Sequence, residues 1–182
     1  MSIAVIYGSS REGGNTELLT KTALQGLDYE EIILRDETII PVKDGRHEDQ
    51  GFSEVDDNYD ALISRMINHD ILVFATPIYW FSMSGTMKTF IDRWSQTMRD
   101  EKHPEFKEKM AGKQAYVIAV GGDTPLLKGL PLIQQFQLIF QFIGTTFSGY
   151  IIGKGNRPGE VLQDQQAMAA AEGLRQTLLS ER

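Results

Sequence analysis

Three short stretches of this chain, Ile3–Tyr7, Ile71–Ala75 and Ala115–Val120, are apolar at nearly every position and rich in Val and Ile. Strands with one wet face alternate apolar and polar residues. Unbroken short runs instead mark strands covered on both faces, as in a parallel sheet between helical layers. The shorter Glu31–Leu34 and the longer Thr145–Ile152 complete a set of five runs. Between and after them lie amphipathic stretches of helical length: Thr16–Leu27, Tyr59–Asn68, Gly85–Met98, Pro131–Phe142 and Asp164–Leu179. In the first, Leu18, Leu19, Ala23 and Leu27 fall at helical spacing, with Gly26 as the stop. In the second, Leu62, Ile63, Met66 and Ile67 form one face.

Strands alternating with helices imply right-handed crossovers and a doubly wound sheet. The expected fold is a flavodoxin-like three-layer α/β sandwich, with a five-stranded parallel sheet of order 2-1-3-4-5 and helices on both faces. No repeat, low-complexity tract or linker divides the 182 residues, so residues 1–182 read as one domain. With 41% hydrophobic and 24% charged residues the chain is not of disordered type. A net charge of −7 is the wrong sign for a non-specific binder of nucleic acid or anionic membrane. The absence of cysteine excludes disulfides, thiolate nucleophiles and iron–sulfur clusters. Met1–Tyr7 has no basic leader, and no apolar run approaches the ~20 residues of a membrane span. The expectation is a soluble, cytoplasmic protein without nucleic-acid or membrane partners. The polar connections Arg35–Asp57 and Arg99–Gly112 are long for this architecture and suit a lid, a subunit contact or a solvated loop.

In such a sheet, ligands bind beyond the carboxyl ends of the strands at the switch point, between the first and third strands. The loops after strands one, three and four should therefore build the site. The first is Gly8-Ser9-Ser10-Arg11-Glu12-Gly13-Gly14-Asn15-Thr16, running into a helix. Its glycines permit a tight turn, its hydroxyls donate hydrogen bonds, and Arg11 adds a cationic fork. Asn15 or Thr16 caps a helix whose free N–H groups favour an anion. Gly8 and Gly13 have the spacing of a P-loop, but Gly14-Asn15 replaces its Lys-Ser/Thr, and the dinucleotide fingerprint is absent. A monophosphate without metal fits this cup.

The second loop, Thr76-Pro77-Ile78-Tyr79-Trp80-Phe81-Ser82-Met83-Ser84-Gly85, offers a flat apolar wall for a planar ring. Pro77, Ile78 and Tyr79 are placed for ring contact, whereas Trp80 and Phe81 suit packing against a partner subunit or covering the core equally well. Ser82 to Gly85 reads as capping of the next helix. The third loop, Gly121-Gly122-Asp123, is taken alone a plain turn, but as the third wall of the same pocket it lets backbone approach a ligand closely. A phosphate cup, an aromatic wall and a glycine platform together describe a site for flavin mononucleotide (FMN).

At these residues the chain resembles the flavodoxin-like NADPH-dependent FMN reductase and NAD(P)H quinone reductase superfamily. The likeness is greatest to small bacterial FMN-containing NAD(P)H oxidoreductases of the tryptophan-repressor-binding type. It rests on Gly8-Ser9-Ser10-Arg11 with Gly14-Asn15-Thr16, on Thr76 to Trp80, and on Gly85-Thr86-Met87-Lys88 running to Phe90-Ile91-Asp92-Arg93, and it spans Ile3 to Ile152. Ser10 stands where many members have Pro. The resemblance implies one FMN per subunit, a homodimer or homotetramer, phosphate contacts from Ser9, Arg11, Asn15 and Thr16, and ring contacts from Pro77 to Trp80. It also implies that Asp92-Arg93 is a structural pair rather than a catalytic one.

The expected activity is hydride transfer from NADPH or NADH to bound FMN, then onward by a ping-pong route to a quinone, azo, nitro or flavin acceptor. No side-chain nucleophile, acid–base pair or metal set is needed. His47, His69 and His103 lack ligand spacing and read as surface residues, and Glu30-Glu31, Asp56-Asp57 and Asp100-Glu101 as solvated charges. Arg46, Arg93 and Arg99 are the candidates for a 2′-phosphate. The alternative is a non-catalytic flavoprotein, either a flavodoxin-type electron carrier or a flavin-bound regulatory module.

Overall fold

The computed structural model describes residues 1–181. Its strands are β1 (Ile3–Tyr7), β2 (Glu30–Ile33), β3 (Ile71–Pro77), β4 (Gln114–Gly121) and β5 (Thr146–Lys154). They form a five-stranded sheet in the order β2-β1-β3-β4-β5, every pair parallel. The flavodoxin-like order expected from the sequence is the order observed. Register between β4 and β5 shifts at Ala115/Tyr116.

The helices are α1 (Asn15–Ala23), α2 (Tyr59–Met66), α3 (Gly85–Asp92), α4 (Trp94–Thr97), α5 (Phe106–Ala111), α6 (Pro125–Lys128), α7 (Leu130–Ile143) and α8 (Gln165–Ser180). Because strand side chains alternate, the two sheet faces have separate cores. Ile3, Val5, Tyr7, Val73, Ile118 and Val120 face α1 and α8. Ala4, Ile6, Leu72, Phe74, Val117 and Ala119 face α2, α3, α5 and α7. Phe74 is packed among the rings of Trp94, Phe136 and Phe140, with centroids 5.2 to 6.1 Å away. Both faces of the central strands are dry, which is why their sequence lacks alternation.

Several local expectations need correction. The stretch Gly85–Met98 divides at Arg93 into α3 and α4, and the connection Arg99–Gly112 contains α5. His103 is buried rather than superficial. His69 Nε2 lies 2.6 Å from Glu30 Oε2, and Arg65 Nε donates to Glu30 Oε1 at 2.6 Å, so Glu30 is a bridged group and not a freely solvated charge. Asp57 is buried with Arg93. That contact also removes Arg93 from the candidates for a 2′-phosphate, since its side chain is 1% exposed. The misplaced charges share one reason. Charges that pair with distant partners, as Asp57 does with Arg93 and Glu30 with Arg65 and His69, look like solvated residues in one dimension.

Candidate functional site

The carboxyl ends of β1, β3 and β4 open into one cleft of about 270 Å³. Hydrogen bonds between the loops hold it together. The Gly8 N–H donates to Ala75 O at 2.8 Å, and the Ile78 N–H donates to Val120 O at 2.8 Å. Ser84 caps α3 by accepting the Met87 N–H at 3.1 Å, while its hydroxyl donates to Gly8 O at 2.6 Å and its N–H donates to Thr76 Oγ1 at 3.0 Å. The capping role read for Ser82–Gly85 is therefore carried by Ser84, which also joins the first and second loops.

The cleft is lined by Ser9, Arg11, Gly14, Asn15 and Thr16 from the first loop, by Pro77, Ile78 and Tyr79 from the third strand's end, and by Gly121 and Gly122 from the fourth. Ser10, Trp80, Phe81 and Asp123 lie outside its lining. Asp123 is engaged by the Lys128 ammonium and the Thr124 hydroxyl, which hold its carboxyl below the ordinary range. Val120, Gly155 and Asn156 also line the cleft and were not expected. The last two follow β5, outside the loops that flank the switch point. The run Gly153-Lys154-Gly155-Asn156, a glycine-rich end to an apolar strand, is the signal that would have found them.

The phosphate cup differs from expectation in how α1 is capped. Its N-cap is Gly14, which offers no side chain, so the first-turn N–H groups are left for an external acceptor. Gly13 takes a φ of +61°, a conformation that suits glycine. Ser9 organises the loop internally: its hydroxyl accepts the Arg11 N–H and donates to Arg11 O, both at 3.1 Å. The Asn15 side chain does not cap α1 but turns toward the loop after β5. Arg11 is exposed. Beneath the cup, Glu17 accepts the Gly13 N–H at 3.0 Å and the Lys21 ammonium at 2.7 Å. Burial acts to raise its carboxyl, but these hydrogen bonds outweigh burial and hold it below its ordinary value.

The aromatic wall ends in a two-residue hairpin. Tyr79 and Ser82 exchange both main-chain hydrogen bonds at 3.0 Å, and Trp80 and Phe81 between them have φ of 49° and 67°. Bulky residues rarely adopt positive φ, so two in succession are a local strain fixed by the surrounding structure. Trp80 is 92% exposed at the tip.

An uncapped helix start beside a free arginine, facing a wall of Pro77 to Tyr79 and a platform of Gly121-Gly122, suits a phosphorylated planar ring. The donors fit a phosphate monoester, and the apolar wall and glycine backbone fit an isoalloxazine. Among the described residues no group of His, Cys, Asp and Glu is placed to hold a metal ion.

Comparison with known proteins gives this geometry a lineage. Residues 1–146 match the NADPH-dependent FMN reductase family. A Bacillus subtilis protein named as an NAD(P)H-dependent FMN-containing oxidoreductase, YwqN, is 59% identical over 174 residues, covering 96% of each chain. The solved structure of a Trp repressor binding protein from Bacillus subtilis superimposes with a TM-score of 0.82 at 53% identity, over 95% of this chain and 97% of that one. An FMN-dependent NADH-azoreductase from Bacillus anthracis, solved with FMN, shares the fold at a TM-score of 0.64 and 14% identity, over 96% of this chain and all of that one. The chain belongs to the NADPH-dependent FMN reductase family, whose members are FMN-dependent oxidoreductases.

Proposed function

We propose that the cleft binds one FMN and serves electron transfer from NADPH or NADH to a small organic acceptor (a quinone, azo, nitro or free flavin compound). When bound, FMN supplies the two-electron chemistry between a nicotinamide and that acceptor. The residues of the chain bind and orient. The α1 N-terminus, Arg11 and Thr16 take the phosphate, Pro77 to Tyr79 flank the ring, and Gly121 and Gly122 let main-chain N–H groups approach its polar edge. The observation that carries this reading is the convergence of these loops on one cleft whose outer side is open, rimmed by the half-exposed Tyr79. One open face favours two flat reactants that stack in turn, each leaving before the next enters.

The same rim supports a homodimer or homotetramer. Trp80 and Phe81 on the hairpin after β3, and Leu126 and Leu127 on the short α6 after β4, are all exposed apolar side chains, which favours a subunit contact. Initial rates measured over a grid of NADPH and benzoquinone concentrations test the shared face. Parallel double-reciprocal lines are expected, and intersecting lines would rule out a single alternating site.

A further inference from the structure

The loop after β5 is fastened to the phosphate cup. The Asn15 Nδ2 donates to Arg157 O at 2.8 Å, and the Val161 N–H donates to Asn15 Oδ1 at 3.4 Å. The amide of Asn15 is thereby committed to this loop, leaving its main-chain N–H for a phosphate. Gly155 makes the approach possible: a Cβ there would lie 2.8 Å from Asn15 Nδ2 and 2.9 Å from Val161 N. Its own N–H donates to Gly121 O at 3.0 Å. Glu160 Oε2 accepts the N–H groups of Asn156 and Arg157 at 2.8 and 2.9 Å, which fixes the turn from the other side. The backbone of Arg157 is thus held against the first helical residue of the cup, next to the cleft-lining Asn156; its side chain is exposed, lies outside the lining of the cleft, forms no close ion pair among the described residues, and helps to hold the nearby Glu160 carboxyl below its ordinary value.

The charge in the cup calls for such a group. A phosphate monoester carries about −1.5 to −2 at neutral pH. The α1 terminus offers roughly +0.5 and Arg11 one full charge. Glu17 lies beneath the cup, in a chain of net charge −7. We propose that Arg157 is a second cationic ligand of the flavin phosphate, carried to the cup by the Asn15–Arg157 clamp. This rests on the FMN reading above and adds to it a residue beyond position 146, where the family match ends.

The test compares FMN with riboflavin, which lacks the phosphate, by fluorescence titration of the wild type, Arg157→Gln, Arg157→Lys and Arg11→Gln. The expected result is that Arg157→Gln weakens FMN about tenfold, leaves riboflavin unchanged and lowers the salt dependence of FMN binding, while Arg157→Lys keeps most of the affinity. Unchanged FMN affinity in Arg157→Gln overturns the proposal, as does an equal loss for both ligands, which would make Arg157 a prop for the loop. Normal FMN binding with a raised KM for NADPH overturns it too and assigns the residue to the donor. If wild type bound FMN no better than riboflavin, the phosphate cup itself would fail, and with it the reading on which this proposal stands.

Discussion

Arg93 and Asp57 form an ion pair at 2.7 Å in which each side chain is only 1% exposed. The same guanidinium donates to Ile40 O at 2.9 Å and to Gln96 Oε1 at 2.7 Å, and it lies 4.3 Å from the centroid of the Tyr59 ring. Asp57 Oδ2 also accepts the Ile40 N–H at 2.8 Å. The bonds from Arg93 to Asp57 and to Ile40 O tie the long connection after β2 to the α3–α4 junction, while the Gln96 bond braces the junction and the Ile40–Asp57 bond braces the connection. Removing one partner leaves a buried charge unmatched, so Asp57→Ala should cost about 3–5 kcal/mol. Urea unfolding measures this. A loss below about 1 kcal/mol would mean the pair is hydrated and the connection held by other contacts.

The strained hairpin makes a prediction of the opposite sign. A two-residue turn with both φ positive prefers Asn-Gly, and here it carries Trp80 and Phe81. The double variant Trp80→Asn with Phe81→Gly should raise the unfolding free energy by about 1 kcal/mol or more, when measured at low protein concentration. Self-association or turnover should fall in the same variant. A less stable protein with undiminished turnover would show that the aromatics are structural.

Acid should weaken the fold through Glu17 and Glu30. Both carboxyls sit below their ordinary value of 4.5, Glu17 because its hydrogen bonds outweigh burial, and Glu30 through hydrogen bonds from Arg65 and His69. A depressed folded pKa stabilises above the unfolded value and is lost as pH falls through the folded one. Stability should therefore be full at neutral pH and decline below about pH 4.5. Glu17→Gln should lower neutral stability and flatten that acid limb. An acid limb as steep as the wild type's would exclude Glu17 as a contributor.

Arg11 gives a prediction about binding alone. It is exposed on a loop, so Arg11→Ala should leave the melting temperature within about a degree or two of wild type while weakening FMN roughly tenfold. Differential scanning fluorimetry with and without FMN reads both quantities. An unchanged FMN-induced shift would place the phosphate elsewhere.

The sheet was legible in the sequence because its three central strands are dry on both faces, so Ile3–Tyr7, Ile71–Ala75 and Ala115–Val120 read without alternation. The phosphate loop was legible because Gly8 to Thr16 combines turn residues with a cation just before a helix. Glycine 155 and Asn156 were not, since their place in the cleft depends on a hydrogen bond across 142 positions, from Asn15 to Arg157. His103, Asp57 and Glu30 were misplaced for a related reason. A lone charge or histidine carries no sign of the distant partner or packing that buries it. Trp80 and Phe81 showed as aromatics, but their positive φ is a property of the Tyr79–Ser82 closure and has no counterpart in composition.

The central claim is that this cleft holds FMN and lets a nicotinamide reach it. The most direct measurement is the absorbance spectrum of FMN-loaded protein mixed without oxygen with one equivalent of NADPH or NADH. The account predicts rapid bleaching of the bound flavin in one two-electron step, and recovery of the oxidised spectrum when benzoquinone is added. Flavin that binds but keeps its oxidised spectrum with both donors would contradict it and return the chain to an electron-carrier or regulatory role.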